Sequence, residues 1–308
     1  MYIEKRKSGK NIKYYLIHSY RENSKVKKIR RYLGVNLSEE ELQKRKKKAG
    51  EIILELIEEL STKVFFFTLT RKQIEILNNY NDKIKVTHLS EGEWENFTED
   101  FVYNTNAIEG STVTEKEVSI ILHKKKAENG EEVETKGVAK AVEYIRKTKE
   151  DLSLGLLLKL HRFCFDGSKH FAGKFRDVNV IVRNSRGQIL HAGVPKEELE
   201  GYLDDFITWY KKNKSYFKPI VLAAILHNQF EHIHPFQDGN GRVGRLLLNY
   251  ILVKHGYPPI NIKLEDRQEY YQTLQKYSKE DDLRPTLRFL IKQYGKTLRG
   301  VTTKPNKK

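Results

Sequence analysis

The fourteen residues from His232 to Arg245, HIHPFQDGNGRVGR, hold two histidines, an aspartate, three glycines, an asparagine and two arginines. The apolar segments PIVLAAILHNQFE before them and RLLLNYILVKHG after them both read as buried helices. A connection between two helices needs only a few turn residues, so this one carries chemistry. Pro235 stops the incoming helix and biases His234 toward an extended backbone. That sets an imidazole at a helix exit, able to take a proton near neutral pH. Phe236, apolar in a polar loop, should insert into the core and anchor it. Asp238 offers a hard carboxylate oxygen suited to Mg²⁺. Gly239, Asn240 and Gly241 permit a tight path whose N–H groups converge on an anion at the start of the next helix. Arg242 and Arg245, three apart, read as sharing one face of its first turn. Cations are disfavoured at a helix N-terminus, so two arginines there make sense where anions fill the site. Base, metal carboxylate, anion nest and guanidiniums together suit a polyphosphate with its Mg²⁺, beside a group that deprotonates a nucleophile.

Other readings of these residue types fit less well. GSKHFAGKF has the wrong glycine spacing for a Walker loop and no Ser or Thr after its lysine. His227, Glu231 and His234 fall at i, i+4 and i+7, a spacing open to zinc, but they lack the HExxH order and leave GNGR without a role. His227 reads as a satisfied helix residue, and His232 as a packing or surface one. The single cysteine, Cys164 in LHRFCF, reads as a buried small hydrophobe rather than a nucleophile. One cysteine excludes an internal disulfide and points to a reducing, cytoplasmic compartment. No apolar run approaches membrane-spanning length, and no h-region follows the basic N-terminus.

The elements that must position the loop are mostly helices. YIEKRK, IKYYLIHSY and KVKKIRRYLG are β-branched and aromatic runs split by the turn sequences SGKN and RENS, which predicts a small meander over the first 34 residues. Ser38 with Glu41, Ser90 with Glu93 and Thr114 with Glu117 are capping boxes that open helices. VFFFTLT is ambiguous between strand and buried helix. FRDVNVIVRNSRGQILHAG predicts a hairpin over residues 175–192, and Pro195 and Pro219 read as first-turn prolines. The expected organisation is a β module at 1–36, a helical connector at 37–87, a region at 88–151, a core at 152–292 and a basic tail at 293–308. The net charge of +16 is concentrated at the ends: residues 1–36 hold eleven Lys/Arg and two Glu, and residues 295–308 hold five Lys/Arg and no acid. Any nucleic-acid or anionic-surface role is therefore to be sought in these two arms, with the aromatic, basic strands of residues 1–36 as the candidate nucleic-acid binder; a docking module for a partner, or for a second copy of the chain, explains that segment equally well.

HPFQDGNGRVGR resembles the Fic-protein signature HPFx(D/E)GNGRxxR at every specified position. LHNQFEHIHPF before it, EYYQTLQ after it and GKFRDVNVIV upstream resemble Fic flanks, over roughly residues 88–292. The resemblance implies a mainly α, Fic-type (Fido-domain) helical bundle with a β-hairpin flap, here preceded by the small N-terminal β module. It also implies transfer of AMP from ATP to a Ser, Thr or Tyr hydroxyl of a target protein or of the chain itself. Carried over, His234 is the general base and Asp238 holds Mg²⁺ against the phosphates. Gly239, Asn240 and Gly241 form the anion hole, and Arg242 and Arg245 hold the β- and γ-phosphates. Val178, Asn179, Val180, Ile181 and Val182 are the flap that adds a strand to the target. Tyr270 and Tyr271 border the adenine or, as a helical pair, belong to the core. Glycine rather than lysine in GNGR argues against the Doc-like phosphotransferase branch. TNAIEG, Thr105 to Gly110, resembles the inhibitory-helix motif, in which Glu109 pairs with Arg245 and fills the γ-phosphate space. The alternative function is a nucleic-acid-bound regulator whose Fic site is secondary.

Overall fold

The structure is a computed structural model that describes residues 1–22, 25–183, 187 and 189–303. The turn sequences RENS and NSRG lie partly outside the described residues, and the last five residues of the expected basic tail lie wholly outside them. The chain divides into two compact units, residues 1–75 and 76–308.

In the first unit, β1 (Tyr2–Ser8), β2 (Asn11–Glu22) and β3 (Lys25–Val35) form the expected antiparallel meander. Strand alternation gathers Ile3, Ile12, Tyr14, Leu16, Ile29 and Leu33, which pack with Leu42, Ala49 and Ile53 of α1 (Glu39–Leu60). The Ser38 box opens α1: the Glu41 N–H donates to Ser38 Oγ at 3.3 Å, and the Ser38 N–H donates to Glu41 Oε2 at 3.2 Å. VFFFTLT belongs to a second hairpin, β4 (Ser61–Val64) and β5 (Phe67–Thr70), which turns at Phe65 with a positive φ of 53°. A short apolar run carries no period that separates strand from helix, and the turn residues are themselves apolar, so the sequence hid this turn.

After α2 (Arg71–Asn78), the second unit is built from α3 (Glu91–Ile108), α4 (Glu115–His123), α5 (Gly130–Lys147), α6 (Leu154–Phe165), α7 (Leu199–Asn213), α8 (Pro219–Ile233), α9 (Asn240–Lys254), α10 (Arg267–Glu280) and α11 (Arg284–Thr303). Its mainly helical bundle with one small hairpin is the architecture expected from the sequence. Helices α8 and α9 are its centre: every residue from Ile220 to Phe230 is buried, and so is every residue from Arg242 to Leu252. Helices α3, α5 and α6 pack on α9, while α7, α10 and α11 pack on α8. The polar loop thus hangs between two helices walled in by neighbours. No helix among the described residues is long and apolar enough to cross a membrane.

Two expected elements have different extents. The hairpin is only β6 (Ile181–Arg183) with β7 (Ile189–Ala192), and Val178, Asn179 and Val180 precede it outside any strand. One further bond crosses between its arms, the Gly193 N–H on Val180 O at 3.1 Å, and beyond it the Arg176 N–H turns away to Pro235 O at 3.0 Å. Residues 293–303 continue α11, with Tyr294, Thr297 and Val301 buried. Reading the segment as one with the lysines at 304, 307 and 308 hid its apolar spacing.

Candidate active site

His234 departs from the extended backbone expected of it. It caps α8 in the left-handed region, φ 55° and ψ 61°, with its N–H on Phe230 O at 2.9 Å. Pro235 disfavours the right-handed helix at His234, and Arg176 selects among what remains. Its buried guanidinium donates to His234 O and Val178 O, both at 2.8 Å, and to Val194 O at 2.5 Å. One arginine thereby ties the flap to the loop through main-chain carbonyls. A left-handed non-glycine residue costs on the order of 1–3 kcal/mol and persists only where its surroundings over-determine it. His234 Nδ1 lies 3.3 Å from Glu231 O. A carbonyl only accepts, so Nδ1 carries the proton and Nε2 keeps the lone pair. Burial, followed by the neighbouring His191 ring at 5.6 Å, pushes the His234 pKa down to about 4.

The loop is braced from within. Phe236 is fully buried and stacks on His161 at 3.9 Å. Asn240 closes the loop on Phe236, accepting its N–H and donating to its carbonyl, both at 2.8 Å. The Asn240 side chain is therefore a staple, whereas the sequence reading had assigned it to an anion hole. His161 Nδ1 accepts the Gly173 N–H at 2.8 Å, leaving Nε2–H to donate to Asp238 O at 3.1 Å. The Asp238 carboxylate is exposed, with Oδ1 accepting the Gly239 N–H at 2.6 Å. Gly239 has φ 80°, and a Cβ there would run into the Phe165 ring, so only glycine fits.

Arg242 and Arg245 do not share one direction. Arg242 reaches α5, where Nη1 meets Glu134 Oε2 at 2.5 Å, and its guanidinium lies 4.3 Å from the Phe165 ring centroid. Arg245 turns toward α3: Nε donates to Thr105 Oγ1 at 2.7 Å, and Nη2 donates to Glu109 Oε1 at 2.6 Å and Thr105 O at 3.0 Å. Thr105 and Glu109, four apart on one helix face, grip the same guanidinium, which gives TNAIEG a physical meaning. Arg245 is 1% exposed, and its Nη1 is without a hydrogen-bond partner among the described residues. Burial works against its charge, but Glu109 more than offsets this and raises its pKa. A Cβ on Gly241 would collide with the Glu109 carboxylate. The acid therefore sits against the first turn of α9, where N–H groups have no partner within the helix.

After Glu109 the chain turns at Gly110, φ 93°, and Thr112 is clasped by Glu131 of α5, through Oγ1 at 2.6 Å and N–H at 3.1 Å. A cleft of about 490 Å³ opens here, lined by Glu109, Glu131, Glu134, Lys169, Asp238 and Arg242 among others. Tyr270 is buried behind it with its hydroxyl 2.9 Å from His227 Nε2, which leaves partly exposed Tyr271 nearer the surface. Sequence reasoning missed Glu134, Arg176 and His161. For Arg176 the available signal was its place at the hairpin entry, between Phe175 and Asp177. Glu134 lies in an acidic helix start and stands out only once α5 meets α9. Among the described residues, no group of three His, Cys, Asp or Glu could hold a metal by itself, and His227, Glu231 and His234 do not converge as the zinc alternative requires.

A family model described as Fic/DOC family matches residues 151–252. Protein adenylyltransferase Fic of Nematostella vectensis is 33% identical over 208 residues, 64% of this chain and 47% of that protein. The protein of the same name from Drosophila melanogaster is 31% identical over 244 residues, 75% of this chain and 48% of that protein. A solved fragment of Fic-1 from C. elegans superposes with TM-score 0.60 at 25% identity, covering 87% of this chain and 78% of that one. The chain spans about half the length of the curated relatives it matches.

Proposed function

The chain carries a Fic/DOC-family domain at residues 151–252, and from that premise we propose that it moves AMP from ATP onto a hydroxyl side chain of a protein, with Glu109 holding the site in check. The observation that carries this reading is the Glu109 carboxylate against Gly241 and buried Arg245. A tethered anion occupies the helix start at which a phosphate would bind. The relatives' shared name, protein adenylyltransferase, supplies the reaction.

In that reaction the target hydroxyl oxygen attacks the α-phosphorus and the bond from it to the β-phosphate bridging oxygen breaks. Pyrophosphate leaves, and the hydroxyl proton passes to His234 Nε2. Arg245, once released, and Arg242, held by Glu134, bind the outer phosphates together with the amides at the start of α9. Asp238 suits Mg²⁺: it presents an exposed hard carboxylate beside the cleft, and a single carboxylate with substrate phosphates is the usual Mg²⁺ arrangement. The ion would neutralise phosphate charge there. Tyr271 borders the adenine, with Tyr270 as the wall behind it. Exposed Ile181 and Val182 of β6, with exposed Val178 ahead of them, offer the target a strand edge. A reducing, cytoplasmic setting suits the chain's one cysteine, Cys164, which is fully buried.

The direct test is incubation with labelled ATP and Mg²⁺, followed by mass spectrometry of the protein and of a host extract; the absence of any AMP adduct, including in the Glu109→Gly variant, overturns the proposal. Asp238→Ala should remove the Mg²⁺ dependence of ATP binding seen by calorimetry, and metal-dependent binding that survives would exclude Asp238 as the ligand. The pH profile is a further check. A histidine whose pKa is lowered to about 4 stays an unprotonated base down to that pH. Transfer should hold steady as pH falls through 6.5 and decline only toward 4. A half-point near 6.5 would show an imidazole with its ordinary value.

A further inference from the structure

The N-terminal sheet, in the unit formed by residues 1–75, has a face opposite the one packed on α1. Tyr15 lies at its centre, with the Arg6 guanidinium 5.7 Å and the Arg30 guanidinium 5.9 Å from its ring centroid. The Tyr32 ring is 5.4 Å from that of Tyr15 and 55% exposed. Strand alternation and register add Lys13 and Lys28 to the same face. Glu4 accepts one hydrogen bond from each arginine, at 2.7 Å from Arg6 and 3.2 Å from Arg30. Each guanidinium has five N–H donors, so both are oriented by Glu4 and neither is exhausted by it. Residues 1–36 carry a net charge of +9, from eleven Lys/Arg against two Glu, while residues 37–294 carry only +2. The basic charge is thus gathered on the unit that also holds the exposed rings.

We propose that this sheet face binds single-stranded nucleic acid. Arg6, Lys13, Lys28 and Arg30 meet the phosphates, and Tyr32, with the guanidiniums laid on Tyr15, gives unpaired bases flat surfaces to stack on. Charge alone would serve any polyanion. Guanidiniums over a ring, beside a second exposed ring, suit bases in particular.

The test uses the full chain and a fluorescein-labelled single strand of about 20 nucleotides, followed by anisotropy across salt concentrations. Four phosphate contacts predict a slope of log K against log salt of about −3. Tyr32→Ala should weaken binding about tenfold and leave the slope unchanged, since it removes a stacking surface and no charge. Arg6→Gln with Arg30→Gln should roughly halve the slope. Circular dichroism and thermal unfolding of the same variants should match the parent, which shows that the sheet remains folded, and self-modification by ATP should not change. Failure to bind the strand at low salt overturns the proposal. So does binding that ignores Tyr32→Ala, and so does equal binding of an acidic peptide or of phosphatidylserine vesicles, because each assigns the face to charge alone.

Discussion

Replacing Glu109 with glycine is expected to raise AMP incorporation from ATP by about 10- to 100-fold. The estimate comes from the contact removed: a hydrogen bond between charged groups contributes about 1.5–3 kcal/mol, and in the proposed function that contact competes with the γ-phosphate for Arg245. Nη2 meets Glu109 at 2.6 Å, so in the proposed function that nitrogen is withheld from the phosphate until the acid leaves. The exchange places two glycines in succession at the end of α3 and costs about 1 kcal/mol of helix stability. Glu109 caps α3 with φ −87° and ψ 2°, a conformation glycine adopts without strain. Arg245→Ala should be inactive in either background. Labelled-ATP incorporation measured on the four proteins decides the matter. Equal rates for Glu109→Gly and the unaltered chain would reduce TNAIEG to a helix end.

His234→Ala in the Glu109→Gly background should lose transfer by about 10²–10⁴-fold, the usual contribution of a positioned base, while ATP binding persists. In the proposed function the imidazole acts on the attacking hydroxyl, and the phosphates are held by Arg242, Arg245 and the start of α9. Alanine must also accept the left-handed backbone that Arg176 imposes, so a thermal unfolding measurement should accompany the rates. A folded variant that binds ATP and still transfers at more than about a tenth of the parent rate would remove His234 from the role of base.

What could be read from the sequence was local. The meander, the capping boxes at Ser38, Ser90 and Thr114, Pro219 at the start of α8 and the loop from His234 to Arg245 all depend on residues within a few positions of one another. What could not be read depended on partners far along the chain. Arg242 and Arg245 have the same spacing whether they point together or apart, and Glu134 on α5 and Thr105 on α3 settle their directions. The left-handed His234 follows from Arg176, and Asn240 looks like an anion ligand until Phe236 is seen folded back beneath it. The lysines that follow residue 303 hid the apolar spacing of residues 293–303, as consecutive phenylalanines hid a turn.

The clasp between Thr112 and Glu131 has a consequence for what the site can sense. If Glu109 is the inhibitor, it is a competitor on a short tether, and its effective concentration beside Arg245 is on the order of millimolar or above whatever the dilution. ATP sees a site open only part of the time, and its apparent affinity falls by that fraction. Cellular ATP is therefore a poor trigger, because it must outcompete a rival that never diffuses away. A better trigger loosens the tether at Gly110 and Thr112. The proteins that turn such a site on would be those that grip this turn.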